Sequence, residues 1–523
     1  MHPSSKIFLQ TPENSPLGLY QTRQIQAIEA IAKKDLPIGA LMRAAGIAAT
    51  NLANKLLHKK SEKVLVLAGP GNNGGDALEV AHLLAEEGFD VHVLLFGTEQ
   101  HYSQEAKQSL QRAKHSKLKW PLQAEVETLA VRYWDLIIDG LFGIGLSRPI
   151  DGTIATLIAY INNNNNNQQV PILALDVPSG LDADTGTILG GQQNALRATY
   201  TISFIANKIG LHTSQGKDFA GQVHVDGLGI DYNIYPPAYA HLLTSKTFAD
   251  SMPQREHDSH KGTYGDVLVV GGNNGMTGAP LLAGRAALFC GAGRVHLGFL
   301  DKFNAVDYLH PELMCRSAQD SDFISAVVAI GPGLGTTDDA KIQLQRALQE
   351  STDLVIDADA LNLIACHRQL QDLVRHRSQQ NLRTIITPHP LEAARLLQTT
   401  VLAVQADRCG AAKKLVEDLQ VCVILKGAGS IIADADFIWV NSSGNPSLAT
   451  AGTGDILTGI CAAFLAQGLG VTHAACLAAY LHGKGADDCL TDGLGPLGIS
   501  SSELIQAVRS ALNKLIRSKG IPH

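Results

Sequence analysis

At 523 residues the chain is too long for one ordinary core, and its length suggests two to four domains. Hydrophobic residues make up 45% and charged residues 17%, a balance that permits a large core and excludes a disordered chain. A net charge of −7 and a pI near 6.2 argue against a nucleic-acid groove, which needs a basic stripe, and against docking on anionic membranes.

No run reaches the roughly 18 apolar residues of a membrane span, and the opening stretch lacks the apolar centre of a signal peptide. The expected location is the cytoplasm. All eight cysteines lie between Cys290 and Cys489 without a CxxC pair, which reads as reduced core thiols rather than a disulfide framework or a zinc site. Glycine is frequent, at 50 residues, and many glycines directly follow apolar runs. Parallel sheets with strand-to-helix loops that let the backbone approach phosphates have this composition.

In chain order, Lys63–Ala68 reads as a strand that ends in Gly69-Pro70-Gly71 and Asn72-Asn73-Gly74-Gly75-Asp76. A helix then runs to about Glu87, with Leu78, Val80, Ala81, Leu83 and Leu84 at helical spacing. Further strands are expected at Val91–Phe96, Leu136–Asp139, Ile172–Asp176 and Thr201–Phe204, near-continuously apolar, as in a parallel sheet covered on both faces. The asparagine run Asn162–Asn167 reads as a solvated loop. The pattern lapses around Asp231–Ala240, which sets the expected domains at 1–235 and 236–523. A second α/β series follows, with strands at Asp266–Val270, Arg294–Leu297, Ala326–Ile330, Asp353–Asp357, Thr384–Ile386, Val421–Leu425 and Phe437–Val440. Helices at Asp455–Ala466 and Thr472–Asp488 close it.

Three strand ends in the first half carry polar residues toward one rim of the sheet. They are Gly71–Asp76, Asp139–Pro149 (Asp-Gly-Leu-Phe-Gly-Ile-Gly-Leu-Ser-Arg-Pro) and Asp176-Val177-Pro178-Ser179-Gly180. Paired glycines at a helix N-terminus suit a diphosphate, and Arg148 can pair with an anion. Asn73, Asp139 and Ser179 offer only oxygens of the kind that a hard cation prefers. In this order and spacing the motifs resemble the NAD(P)H-hydrate epimerase domain. The resemblance implies that Asn72, Asn73, Gly74, Gly75 and Asp76, with Gly143, Ile144, Gly145, Leu146, Ser147, Arg148 and Pro149, hold the dinucleotide. It implies that Asn73, Asp139 and Ser179 ligate potassium, and that Asp176 contacts the hydrated nicotinamide and does acid/base work at C6. Ala77 stands where that family usually has glycine, and its methyl is expected to crowd the phosphate approach.

In the second half, Lys261-Gly262, Gly271–Pro280, Gly331-Pro332-Gly333-Leu334-Gly335, Asp357–Asn362, Thr387-Pro388-His389-Pro390 and Lys426–Ser430 are all loop motifs at strand ends or leading into strands. The most informative is Asn445–Asp455, whose Gly452-Thr453-Gly454-Asp455 sets several N–H donors and a positive helix end beside one carboxylate. That arrangement suits phosphoryl transfer, with Asp455 accepting a hydroxyl proton. His257, Asp258 and His260 lie close together but lack a fourth ligand, and read as a polar lead-in to a strand.

Gly-Thr-Gly-Asp is shared by ribokinase-like kinases, and the whole set resembles the ADP/ATP-dependent NAD(P)H-hydrate dehydratase. Together, residues 20 to 515 resemble the bifunctional repair enzyme. The implied fold is a Rossmann-like three-layer domain followed by a ribokinase-like α/β domain. The resemblance implies that Ala279, Gly333, His389 and Asp455 contact the hydrated dinucleotide, while Lys426, Gly427, Ala428, Gly429, Ser430 and Gly454 hold the adenine nucleotide. Leu391 departs from the usual glycine after the His-Pro pair. The implied function is repair of hydrated NADH and NADPH by C6 epimerisation and ADP-dependent dehydration, with K⁺ in the first domain and Mg²⁺ with ADP in the second. The expected partners are small molecules, in a homo-oligomer. Two rivals stay open at this stage: a vitamin or sugar kinase, and a non-catalytic nucleotide-binding first half.

Overall fold

The computed structural model describes residues 17–123, 133–248, 255–301 and 306–517. The opening stretch that lacks a signal-like centre therefore lies outside the described residues. Two compact units result, Glu13–Ala240 and His241–His523.

In the first unit the apolar runs form a parallel sheet. Its strand order is Asp90–Leu95, Lys63–Ala68, Leu136–Gly140, Ile172–Leu175, Tyr200–Phe204 and Gln222–Asp226. Alternation along one strand builds two cores. Val64, Val66 and Ala68 pack with helices Ala40–Leu56, Asn72–Glu86 and Gln104–His115. Leu65 and Leu67 pack with Leu157, Ile158 and Ile161 of helix Gly152–Gln168 on the other face. Each fully buried Val or Leu contributes about 1.5–3 kcal/mol, so both faces of the sheet must be covered. Three layers are the consequence.

The first strand of that series, Lys63–Ala68, lies between the second and third in the sheet. The connections therefore leave it in opposite directions. This is a topological switch point, where the carboxyl ends of two adjacent strands open a crevice. The loops after Lys63–Ala68 and Leu136–Gly140 are the two glycine-rich motifs of the first half.

The asparagine run departs from expectation. It is not a loop but the last turns of helix Gly152–Gln168. The apolar stripe of Leu157, Ile158 and Ile161 holds the helix on the sheet. Asparagine costs only about 0.7 kcal/mol or less per helical position, too little to end a helix anchored by packing. Asn162 adds to the anchorage: its amide donates to Ala195 O at 2.9 Å and its oxygen accepts from Arg197 N at 3.0 Å.

In the second unit, parallel strands run in the order Met314–Ser317, Arg294–Phe299, Asp266–Gly271, Val327–Ile330, Asp353–Ile356, Arg383–Ile386 and Cys422–Leu425. Ile431–Ala433 and Ile438–Asn441 continue it antiparallel. One face carries Val267, Val269, Ala329, Val355 and Ile385 into a core with helices Gly278–Phe289, Thr453–Ala466, Val471–Thr491 and Ser501–Arg517. Helix Thr453–Ala466 is buried almost all round, which explains why Thr458 is the one polar side chain in its sequence after Asp455. Six of the eight cysteines are buried, all eight are free, and Cys366 is exposed. No helix among the described residues is long and apolar enough to cross a membrane.

Candidate active sites

The crevice at the switch point of the first unit is an open cavity of about 510 Å³. Asn72, Asn73, Asp76, Gly143, Ile144, Gly145, Leu146, Ser147, Arg148 and Asp176 line it, with Ile25, Glu29, Lys33, Met42 and Glu105 from the helices above. Gly74, Gly75 and Pro149 stand behind this wall. A Cβ on Gly74 would lie 1.9 Å from Gly69 O, and one on Gly75 would lie 2.6 Å from Met42 Sδ. Pro149 backs onto Gly190, whose added Cβ would lie 2.7 Å from it. The first two glycines thus let the turn fold tightly enough to aim Asn73 and Asp76 into the cavity.

Asp176 ends its strand with φ of +67°, a left-handed conformation that costs a non-glycine residue on the order of 1 kcal/mol. What over-determines it is Lys208, a fully buried lysine whose Nζ donates to Asp176 Oδ1 at 2.5 Å. The same ammonium contacts Ser203 Oγ at 2.8 Å, Phe204 O at 2.8 Å and Ala206 O at 3.3 Å. The carboxylate is thereby fixed by one oxygen, while Oδ2 faces Gly143, where an added Cβ would lie 3.2 Å away.

Asp139 is fully buried and accepts from Ser179 N at 2.8 Å, Ser179 Oγ at 2.6 Å and Leu141 N at 3.2 Å. Burial raises its carboxyl above the usual range, against those hydrogen bonds. Phe142 N donates to Ser179 Oγ at 2.9 Å, closing the Asp139–Gly143 loop onto the Asp176–Gly180 loop. Asn73 packs beside that loop, and both of its side-chain polar atoms are buried without a hydrogen-bond partner among the described residues. An orphaned amide next to a buried carboxylate and a hydroxyl is the oxygen-rich donor set that a hard monovalent cation fits.

The expected obstruction by Ala77 is overturned. Its methyl points away from the cavity into the core, where it meets Gly140: a Cβ built there would be 2.4 Å from Ala77 Cβ. The extra methyl is accommodated by a glycine across the helix–sheet interface, so it fills space there and leaves the ligand loop untouched.

In the second unit, Asp357 is the centre of a buried network. It accepts from Lys426 Nζ at 2.7 Å and from Thr458 Oγ1 at 2.8 Å. Lys426 also lies 4.0 Å from Glu392. Burial disfavours the ammonium, yet Asp357, Glu392 and Asp455 together raise its pKa. A Cβ on Gly454 would sit 3.3 Å from Lys426 Nζ and 3.8 Å from Asp357 Oδ2. The first turn of helix Thr453–Ala466 thus runs directly over the pair. Its Gly454 and Asp455 amides have no intrahelical acceptor and point out of the helix end. Asp455 itself is pushed up to about 6 by burial, then by Asp357 and Asp359, with Lys426 opposing.

His389 caps helix Pro390–Leu396. Its Nδ1 accepts from Leu391 N and Glu392 N at 3.1 and 3.2 Å, and His389 N in turn donates to Glu392 Oε2 at 2.7 Å. With Nδ1 an acceptor, the neutral ring carries its proton on Nε2, 3.2 Å from Glu392 Oε1. Burial and then Lys426 lower the histidine, while burial lifts Glu392 to about 7. Leu391 is half exposed at the second position of that helix and leaves the cap intact.

Ala279 and Gly333 adjoin, since a Cβ on Gly333 would lie 3.3 Å from Ala279 Cβ. Their loops are stapled by Gly272 N to Pro332 O and Asn273 N to Gly333 O. Gly335 N donates to Asp359 at 2.8 Å, which ties this region to the Asp357–Asp455 network. The loop from Lys426 to Ser430, with Ala428 and Gly429 at its tip, is closed by Ser430 Oγ on Gly427 O and braced by buried Arg408, which donates to Leu425 O and Lys426 O. His260 caps the short helix Lys261–Tyr264 through Gly262 N, a structural role.

Lys208, Arg408 and Thr458 escaped the sequence reading. For Lys208 a signal existed: it is a lone charge within the apolar run 201–211, where a lysine is expected only if paired.

A family model described as NAD(P)H-hydrate dehydratase matches residues 267–508, and one described as YjeF-related protein N-terminus matches residues 38–210. The bifunctional NAD(P)H-hydrate repair enzyme of Coxiella burnetii is 36% identical over 506 residues, covering 95% of this chain and 99% of its own. That of Escherichia coli is 34% identical, over 92% of this chain and 91% of its own. Among solved structures, the ADP/ATP-dependent NAD(P)H-hydrate dehydratase from Bacillus subtilis, co-crystallized with ATP/Mg²⁺, is 28% identical. It covers 52% of this chain and 97% of its own, with a TM-score of 0.45.

Proposed function

The chain belongs to the bifunctional NAD(P)H-hydrate repair enzymes, and from that membership we propose one activity in each unit. Hydration of the C5–C6 double bond inactivates NADH or NADPH and leaves a hydroxyl on C6 in R and S forms. The first unit interconverts the two forms. The second removes water from the S form and restores the reduced cofactor, converting ADP to AMP and phosphate.

In the second unit, Asp455 accepts the C6 hydroxyl proton as that oxygen attacks the β-phosphorus of ADP. The P–O bond to the α-phosphate breaks and AMP leaves. The free amides of Gly454 and Asp455 stabilise charge on the moving group. Phosphate, a far better leaving group than hydroxide, then departs from C6 as the C5 proton is lost. Ala279, Gly333 and His389 line the dinucleotide, and Lys426–Ser430 with Gly454 line the adenine nucleotide. Mg²⁺ entering with ADP offsets phosphate charge.

In the first unit, Asn72–Asp76 and Gly143–Pro149 receive the dinucleotide, and Asp176 Oδ2 exchanges the proton at the C6 hydroxyl. Asn73, Asp139 and Ser179 would hold a potassium ion, whose charge supplies attraction for the diphosphate. The same reading makes the enzyme a cytoplasmic homo-oligomer with small-molecule partners only.

The observation that carries the proposal is the helix end of Gly452–Asp455 over the Lys426–Asp357 pair: a phosphate cradle and a base in one turn. The test is incubation of the purified protein with hydrated NADH and either ADP or ATP. Regrowth of reduced-nicotinamide absorbance supports it; a stable phosphorylated product would show a kinase instead.

A further inference from the structure

The first cavity holds more carboxylates than the proposed chemistry uses. Asp76, Asp176, Glu29 and Glu105 line it, and Glu79 lies close behind. The charges can be matched pair by pair. Asp176 has buried Lys208 at 2.5 Å. Glu29 and Glu105 share Lys33, at 2.7 and 2.9 Å. Glu79 pairs with Arg112. Asp76 has no ion-pair partner among the described residues, and the neighbours that act on it most strongly are the acids Asp176, Glu29, Glu79 and Glu105.

A half-buried carboxyl among acids, with Lys208, Lys33 and Arg112 each paired to another carboxylate, is driven toward its protonated form. Burial, and then Asp176, Glu29, Glu79 and Glu105, do push Asp76 well above the usual carboxylate range. One carboxyl tied to a lysine ammonium and one left among acids, in a single cavity, are the arrangement that divides base from acid.

We propose that Asp76 is a second catalytic group of this site, the acid that protonates the ring nitrogen while Asp176 takes the proton of the C6 hydroxyl. The inference rests on the epimerase reading of the cavity and supplies its chemistry. C6 of the hydrate bears both a hydroxyl and N1, so it is a hemiaminal. Asp176 Oδ2 removes the hydroxyl proton, the C6–O bond becomes a carbonyl, and the C6–N1 bond breaks with its electron pair going to N1. Asp76 delivers its proton to that nitrogen. The open-chain aldehyde turns about C5–C6, and N1 adds to the other face. N1 returns its proton to Asp76 and the oxygen recovers its proton from Asp176. Nothing is oxidised or reduced, and both carboxyls end as they began.

The test uses the full chain without nucleotide, so that the second unit consumes nothing, and follows pure R hydrate of NADH by chromatography. Wild type should equilibrate R and S. Asp76→Asn should lose at least 100-fold in kcat with KM within threefold, while melting at or above the wild-type temperature, since an amide replaces a neutral acid. Asp76→Glu, which keeps a protonatable group, should recover at least tenfold of that loss. In D₂O, wild type should place no deuterium on C5. The inference is overturned if Asp76→Asn epimerises at full rate, if Asn and Glu variants are equally impaired, or if C5 becomes labelled, which would mean loss and re-addition of water. Wild type that leaves the R form unchanged would instead remove the epimerase reading itself.

Discussion

The two units each place a carboxylate at the edge of a parallel sheet, yet they treat it in opposite ways. Asp176 is clamped through one oxygen by a lysine that is itself wholly buried. Asp455 has a lysine nearby too, but Lys426 is committed to Asp357, so burial first and then repulsion from Asp357 outweigh its attraction and push Asp455 up to about 6. One site ties its carboxylate to a buried counterion and the other leaves its carboxyl at about 6. The difference matches the two chemistries proposed for them: a reversible exchange needs a group that returns to its starting state, whereas accepting a proton during phosphoryl transfer favours a base whose pKa lies near the working pH.

The comparison breaks most visibly at Asp455. Asp455→Asn should lower kcat for dehydration by about 10³-fold or more, the scale of removing a general base at a reacting hydroxyl, with epimerisation unchanged. Cofactor-absorbance recovery and R/S chromatography on the same preparation read both. A near-full dehydration rate would reject the cradle.

Lys208→Met should cost about 3 kcal/mol in urea unfolding, because it leaves the partly buried Asp176 carboxylate without its counterion, and should slow epimerisation. The double variant with Asp176→Asn should recover much of that stability while remaining inactive as an epimerase. Additive losses would mean that the pair is not coupled.

The third expectation is pH dependence. With Asp455 ionised only above about 6, dehydration should fall about tenfold per unit as pH drops below that value. Stability runs the other way. The folded-state pKa is raised above the ordinary 3.8, so the neutral form is favoured by folding and stability is lost as pH rises through about 6. Asp455→Asn should therefore be stabilised relative to wild type at pH 8 by about 1 kcal/mol, discounted for the partial exposure of the group, and not at pH 4.

Smallest of all, Ala77→Gly should cost about 1 kcal/mol through lost helix propensity and the gap opened against Gly140, with epimerase kinetics unchanged. A faster enzyme would restore the idea that the methyl obstructs the ligand.

Much of both sites was legible in the chain because glycine-rich turns and helix starts are local: Gly74 next to Gly69 O, or Gly452 with φ of +87°, are requirements met within a few residues. The asparagine run misled for the complementary reason. A weak local preference was overruled by packing of a stripe that the run itself does not contain. Lys208 was invisible as a partner of Asp176 because 32 residues separate them, and only the fold brings the ammonium beneath the strand end.

By itself the sequence determined two α/β halves, the strand ends where ligands can sit and the residues offered there, since apolar periodicity and backbone freedom are properties of short segments. Tertiary structure decided which charges meet. Asp176 received a buried counterion, Asp76 was left among acids, and Asp357 took Lys426 away from Asp455. Ionisation depends on distance and burial, which no short segment of the chain contains.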